Sequence, residues 1–246
     1  MVVLLATLAI GPLMAQADAG PPILQQWQVS DSLSVQQIAP GVWIHTSRRA
    51  LANGVIFPGN GLIVRDGDAL FLVDTAWGPD ITLELLDWID AELGLPVKAA
   101  VVTHFHDDSM GGTAVLEDRG IPVLGGPMTV ALGSEAGLAS PAPIPELMNG
   151  PVATIGPLEV FYPGPAHSRD NVVVWIPRAR ALFGSCAVRS PTFPGRGNTA
   201  DGDLRGWPQA MRRVGDRYPD AAIVVPGHGP PGDISLLSHT IDLFAD

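Results

Sequence analysis

The stretch Val97-Lys98-Ala99-Ala100-Val101-Val102-Thr103-His104-Phe105-His106-Asp107-Asp108 decides the reading of this 246-residue chain. Residues 97–103 form a nearly continuous apolar run, as expected of a strand buried on both faces, and such strands belong to α/β folds. His104 and His106 stand two apart, so in extended backbone both imidazoles share one face and can approach a single cation. Asp108 follows two residues later and leads into Met110-Gly111-Gly112, where the glycines are expected to allow a tight turn beneath the site.

Outward from this stretch, strands and helices alternate along the chain. On the N-terminal side the pattern predicts a strand over 42–46, a loop over 48–58 containing Asn53-Gly54, and strands over 61–65 and 69–74 joined by the turn Asp66-Gly67-Asp68. A helix is expected over 81–93, with Leu83, Leu85, Leu86, Ile89 and Leu93 on its apolar face and Gly94 at its end. On the C-terminal side a short helix is expected from 111 to 118, a strand over 121–124, a helix over 128–135 and a proline-rich loop over 139–151. Strands at 152–155, 158–162, 172–176, 181–184 and 222–225 follow, with an amphipathic helix over 204–217 and a closing helix over 234–244. No linker, repeat or shift in composition interrupts the series, so residues 18–246 read as one α/β domain.

Residues 1–13 are almost purely apolar and Ala15-Gln16-Ala17 follows as a small-x-small pattern, so 1–17 read as a signal peptide that directs the chain to the periplasm. No later stretch is long and apolar enough to span a bilayer, and no stable membrane insertion is expected once the leader is removed. The net charge of −11, from 14 basic and 25 acidic residues, disfavours a nucleic-acid partner, which requires a positive surface. A single cysteine excludes an internal disulfide. In an exported chain that thiol has to be buried, reactive or ligated.

The chemistry gathers at strand ends. His167 sits in Pro163-Gly164-Pro165-Ala166-His167-Ser168, Cys186 follows Leu182-Phe183-Gly184-Ser185, and His228 sits in Val225-Pro226-Gly227-His228-Gly229. With the first motif, four apolar runs end in His or Cys, and strand ends are where sites assemble in α/β sheets. His45, inside a strand, and His239, on the last helix, stand outside this set. Imidazole, thiolate and carboxylate are the donors zinc prefers. Six of them exceed one tetrahedral ion and suit two zinc ions with three protein ligands each, with positions left for water and substrate. A closed structural zinc site would be Cys-rich, whereas this set is mixed. No Gly-x-Ser-x-Gly or Ser-x-x-Lys is present to support covalent catalysis.

The pattern His104-x-His106-x-Asp108, His167, Cys186, His228 resembles the metallo-β-lactamases, from about Val42 to Phe244. The stretches Asn60-Gly61-Leu62-Ile63-Val64-Arg65-Asp66-Gly67, Asp74-Thr75-Ala76-Trp77-Gly78 and Asn198-Thr199-Ala200-Asp201 are most similar to the VIM branch of subclass B1. The stretch 161–168 and residues 170–175 resemble both VIM and IMP enzymes. The resemblance implies a four-layer αββα sandwich with the metal site at one edge between the two sheets. It implies two Zn2+ per chain, with His104, His106 and His167 on the first and Asp108, Cys186 and His228 on the second. The activity implied is hydrolysis of the β-lactam amide of penicillins, cephalosporins and carbapenems through a zinc-bound bridging hydroxide, by a monomer that confers antibiotic resistance. Asp108 and Asn198 would take catalytic parts, Asn198 as a donor to the developing oxyanion. Arg189 would pair with the substrate carboxylate, Trp77 and Phe57 would line the substrate site, and Asp74 would orient ligands from below.

In glyoxalase- and ribonuclease-like relatives the residue after the motif aspartate is a metal-binding histidine, and here it is Ser109. A second zinc must then find another donor, and Cys186 is the only soft one. The sequence departs from the VIM branch in carrying Arg189 where an aromatic is usual and Phe193 where the arginine is usual. It also has Leu51 and Ala52 where relatives often place a large aromatic, above the adjacent Arg48 and Arg49. The alternative is a zinc hydrolase of the same fold acting on another ester, thioester or lactone.

Overall fold

Residue-by-residue alternation along the strands sorts the apolar side chains into three separate cores. In the computed structural model, which describes residues 23–193 and 195–245, the first sheet runs β1 (Gln25–Gln28), β2 (Leu33–Ala39), β3 (Val42–Ala50), β4 (Ile56–Asp66), β5 (Ala69–Val73), β6 (Val97–Val102), β7 (Val123–Gly125) and β8 (Ala142–Pro143), in spatial as in chain order. The second sheet holds β9 (Val152–Ile155), β10 (Leu158–Phe161), β11 (Val173–Ile176), β12 (Ala181–Ser185) and β13 (Ile223–Pro226). Among the described residues six α-helices accompany them: α1 (Pro79–Trp88), α2 (Asp107–Met110), α3 (Thr113–Asp118), α4 (Pro127–Glu135), α5 (Trp207–Arg217) and α6 (Ser235–Phe244).

Ile44, Leu62, Val64, Val73 and Val101 of the first sheet meet Val160, Val174, Phe183 and Val225 of the second in the central core. Their chain neighbours Trp43, Ile63, Leu72 and Val102 turn the other way and pack with Leu85, Leu86, Met110 and Leu116 of the helices. On the far side Val173, Leu182 and Val224 pack with Trp207, Met211, Val214, Leu237 and Phe244. Because the side-chain period of a strand is two, a strand covered on both faces must be apolar at every position, which is why 99–102 and 172–176 read as unbroken runs, while Lys98 sits at the exposed start of β6. Three apolar layers between four structural layers give the αββα sandwich. Each fully buried Leu, Ile or Val in it contributes about 1.5–3 kcal/mol.

Chain direction follows from the connections. Most antiparallel pairs are joined by turns, and β10·β11 by the longer loop 162–172, whereas the parallel pairs β5·β6, β6·β7, β7·β8 and β12·β13 require crossovers, supplied by α1, by α2 with α3, by α4 and by α5. Among the described residues no helix is long and apolar enough to cross a membrane. The signal peptide expected over 1–17 lies outside the described residues.

The structure corrects several sequence-based expectations. The loop expected over 48–58 is mostly strand: β3 and β4 pair down to Ala50↔Ile56, leaving only 51–55 as the hairpin tip. β1 and β2 add two strands to the sheet edge that the Gln- and Ser-rich sequence did not suggest. The helix expected over 81–93 ends its α-geometry at Trp88 and closes with a π-turn over Ile89–Leu93. The proline-rich segment 139–151 contains β8 and a 3-10 turn over Pro145–Met148. Gly111 and Gly112 both have negative φ, so they make no left-handed turn. They are needed for close packing: a Cβ would sit 2.2 Å from Asp107 Oδ1 at Gly111 and 2.0 Å from Thr82 Oγ1 at Gly112.

Candidate metal centre

The ends of β6, β10, β12 and β13 deliver His104, His106, Asp108, His167, Cys186 and His228 to one edge between the sheets. Asp108, Cys186 and His228 present Oδ2, Sγ and Nε2 to one another: Sγ lies 3.5 Å from Oδ2 and 3.2 Å from Nε2, and Nε2 lies 3.2 Å from Oδ2. His106 Nδ1 and His167 Nε2 are 3.0 Å apart. His104 comes within 4.8 Å of His167 and Cys186 in one cluster and of His106 and Asp108 in another. Its Nε2 is buried with no hydrogen-bond partner, and so is His167 Nδ1.

Burial holds the His104 imidazole well below its ordinary pKa and takes His167 down to about 3, so both rings are neutral. At Asp108 burial pushes the carboxyl up, but the His228 hydrogen bond and the surrounding imidazoles outweigh it and hold the group well below the usual range. Burial and then the Asp108 charge drive the Cys186 thiol well up. Imidazole nitrogens, a carboxylate and a thiol converge within 3.5 Å of one another, a set that a cation between them would satisfy, and the cation would in turn favour the thiolate. The donor chemistry therefore fits zinc.

Beneath the cluster lies a buried hydrogen-bond network centred on Asp74. The Thr103 N–H donates to Asp74 Oδ1 at 2.7 Å and the Thr103 hydroxyl to Oδ2 at 2.8 Å, and the Ser109 hydroxyl donates to Oδ1. The Ser185 hydroxyl reaches Thr103 Oγ1 at 2.7 Å. Thr103 Oγ1 also lies 3.2 Å from His104 Nδ1, which directs Nε2 of that ring at the cluster. Asp74 and Ser185 adopt φ of 61° and 48°, a left-handed backbone uncommon outside glycine and here placed at two strand ends that face the same network. Gly227 is required for a different reason: a Cβ there would lie 2.6 Å from both the Cys186 backbone N and its Sγ.

Phe57, Trp77, Arg189 and Asn198 line one groove of about 400 Å3 over this cluster, together with Leu51 and four of the six donors. Phe57 packs on His228 with ring centroids 4.8 Å apart and on Phe193 at 4.9 Å. Arg189 is buried, its Nε has no partner and it makes no ion pair with a described carboxylate. Asn198 is exposed, and its Oδ1 accepts from the Ala200 N–H at 3.1 Å.

Residues without an assigned role in the sequence reading complete the site. Asp201 Oδ2 lies 3.0 Å from His106 Nε2, and the Pro58 carbonyl 2.6 Å from His228 Nδ1. Both contacts set which ring nitrogen faces the cluster. Asp107 accepts from Arg49 and, at 3.1 Å, from Trp77 Nε1. Asp201 lies inside a stretch that marks the resemblance, and its spacing alone carried no sign of the contact.

Residues 54–228 match the family described as the metallo-beta-lactamase superfamily. A metallo-beta-lactamase type 2 of Bacillus cereus is 35% identical over 215 residues, covering 87% of this chain and 83% of that protein. Among solved structures, a metallo-beta-lactamase from Pontibacter korlensis is 43% identical with a TM-score of 0.80, over 86% of this chain and 98% of that one. FIM-1 from Pseudomonas aeruginosa, in its mono-zinc form, is 36% identical with a TM-score of 0.83, over 88% and 96%. With its fold, its strand-end donors and these relatives in agreement, the chain belongs to the metallo-beta-lactamase superfamily and has B1-type enzymes among its homologues.

Proposed function

We propose that this protein is a zinc-dependent β-lactamase that hydrolyses the lactam amide of penicillins, cephalosporins and carbapenems. The observation that carries the reading is the triad of Asp108, Cys186 and His228, with every donor-to-donor distance at or below 3.5 Å. Ser109, which follows Asp108 where a further ligand would stand in other hydrolases of this fold, is buried and spends its hydroxyl on Asp74.

His104, His106 and His167 would hold one zinc ion and Asp108, Cys186 and His228 the other. Zinc bound there lowers the pKa of water toward about 7 and polarises a carbonyl oxygen. The remaining work falls to the chain. Arg189 pairs with the carboxylate that penicillins and carbapenems carry, because its guanidinium is buried in the groove without an acidic partner among the described residues. The amide of the exposed Asn198 donates to the oxygen on which negative charge develops. Phe57 and Trp77 exclude water from one side of the groove and orient the substrate over the donors. Asp74, through Thr103, fixes the His104 ring.

Within subclass B1 we place the chain beside the VIM branch, on the stretches 60–67, 74–78, 104–108 and 198–201. The apolar leader with its small-x-small pattern supports export to the periplasm. All six donors and the groove come from one chain, which supports a monomer.

The test is carbapenem hydrolysis with and without chelator. Activity should vanish with EDTA and return with zinc, with two zinc ions per chain by metal analysis. Chelator-resistant hydrolysis, or a fully loaded protein that leaves every β-lactam intact, would overturn the reading; turnover of a thioester or lactone instead would move it to another hydrolase of the fold. Cys186→Ser should weaken one of the two zinc ions far more than the other, and equal loss of both would contradict the ligand division.

A further inference from the structure

Three of the four histidines in the cluster are aimed through their rings. The nitrogen remote from the cluster meets Thr103 Oγ1 in His104, Asp201 Oδ2 in His106 and the Pro58 carbonyl in His228. Such partners fix the ring orientation of metal-binding histidines. His167 is the exception. Its Nε2 lies 3.0 Å from His106 Nδ1, and its Nδ1 is buried with no partner among the described residues. The aim of this ring therefore comes from the backbone that carries it and from edge-on packing against Trp207, with ring centroids 5.8 Å apart.

That backbone is the irregular loop 162–172 between β10 and β11, which no ladder of strand hydrogen bonds holds in place. Within the loop, buried Asn171 braces both sides of His167: its Oδ1 accepts from the Ser168 N–H at 3.0 Å and its Nδ2 donates to the Gly164 carbonyl at 3.3 Å. This keeps the shape of the loop but does not fix it against the rest of the fold. From outside, the Asp203 N–H holds the Ala166 carbonyl at 2.8 Å. Among the described residues one side chain outside the loop hydrogen-bonds to its backbone: Arg213 of α5, whose Nη1 donates to the Pro163 carbonyl at 2.8 Å. The donor is charged, which makes this the stronger kind of hydrogen bond. The next residue, Gly164, has φ of 102°, and a Cβ there would lie 2.8 Å from the same Nη1, so the loop admits the guanidinium because position 164 is glycine. We propose that Arg213 is a positioning residue for the metal centre: by holding Pro163 from α5 it sets the aim of His167, and so governs the ion held by His104, His106 and His167 without touching it. This rests on the ligand division given above.

The test is metal binding to the full chain, read by chelator competition for zinc and, with cobalt in its place, by the thiolate-to-cobalt absorption that reports Cys186. Arg213→Met, which keeps the length of the side chain and removes its donors, should weaken one of the two ions about tenfold, the lower end for outer partners of metal-binding histidines. The His167 ring 15N shifts should move with it, and the Cys186 absorption should stay unchanged. Arg213→Lys, which keeps a charged donor, should restore most of the loss. Arg212→Met, at the exposed neighbour with no hydrogen bond or ion pair to a described residue, should leave both ions as in wild type. Fewer than two ions in wild type would overturn the ligand division and this proposal with it. Two ions in wild type with Arg213→Met unchanged, equal loss of both ions, or an Arg213→Lys as weak as Arg213→Met would overturn this proposal alone.

Discussion

The floor and the rim of the metal centre are built on opposite principles. On the floor, Asp74, Thr103, Ser109 and Ser185 are buried, mutually hydrogen-bonded and set on two residues with left-handed backbone. On the rim, Arg49 and Asp107 pair with about half of each side chain open to water, and the hairpin tip over 51–55 is exposed. Buried networks leave no slack: removing one partner strands the others at the full desolvation cost. Exposed pairs contribute little because water replaces either partner. The floor thus fixes where the donors point, and the rim is free to vary with what the groove admits.

The largest effect expected of this contrast concerns His45, on the floor beside Gly61, where a Cβ would lie 2.3 Å from His45 Nε2. The ring is fully buried, and burial outweighs its contacts with the Asp74 and Val73 backbone and lowers its pKa to about 4. A histidine whose folded pKa is depressed contributes stability above its unfolded value near 6.5 and loses it as pH falls toward 4. At about 1.4 kcal/mol per pH unit this comes to roughly 3 kcal/mol. Asp74 works with the opposite sign in the metal-free chain. Burial raises it to about 7, so its contribution is full below about 4 and is lost as pH rises to 7. The measurement is therefore a difference: urea unfolding of chelated wild type against His45→Gln, whose gap should change by roughly 3 kcal/mol between pH 7 and pH 4. A gap independent of pH would break the assignment.

Next in size is Asp74→Asn, which keeps the shape of the floor but replaces an acceptor with a donor facing Thr103. Zinc affinity should fall by about 10–100-fold, read by competition with a chelator, because the Thr103 hydroxyl no longer holds His104 in place. Arg189→Ala should raise KM for a carbapenem about tenfold with kcat nearly unchanged, the pattern of lost uniform binding; an equal fall in kcat would give Arg189 a part in the chemistry. The smallest effect belongs to the rim. Arg49→Gln should cost less than about 1 kcal/mol in stability and fade further in high salt, since Trp77 keeps its own hydrogen bond to Asp107. A large zinc defect from Arg49→Gln would erase the distinction between floor and rim.

The donors were legible because each follows an apolar run, and the core pattern of a doubly covered strand leaves that run unmistakable. The sandwich itself was legible only through the resemblance: periodicity marks β6 as buried on both faces but cannot say that Val101 meets the second sheet while Val102 meets α3. The hairpin β3–β4 leaves no clear strand signal because Arg48, Arg49 and Pro58 are poor interior-strand residues, yet they pair as Arg48↔Pro58 and Arg49↔Phe57 near the exposed end of the hairpin, where polar side chains cost little. The partners of the donors were hidden for another reason. Asp201 lies 95 residues from His106, Pro58 lies 170 from His228, and Ser185 lies 82 from Thr103. Contacts of that range are products of the fold and leave no local signature.

The root of the β3–β4 hairpin is tied across the sandwich. The Asn60 N–H donates to the Gly227 carbonyl at 2.8 Å, its side-chain amide donates to the Pro226 and Gly229 carbonyls, and the Pro58 carbonyl meets His228. In mechanical terms the hairpin is a cantilever, clamped at 58–60 and free at its tip. Deflection of residues 51–55 would be taken up before it reaches the clamp, leaving the aim of His228 unchanged. Backbone order parameters should fall smoothly from Asn60 to Asn53, with no matching change at Gly227 or His228.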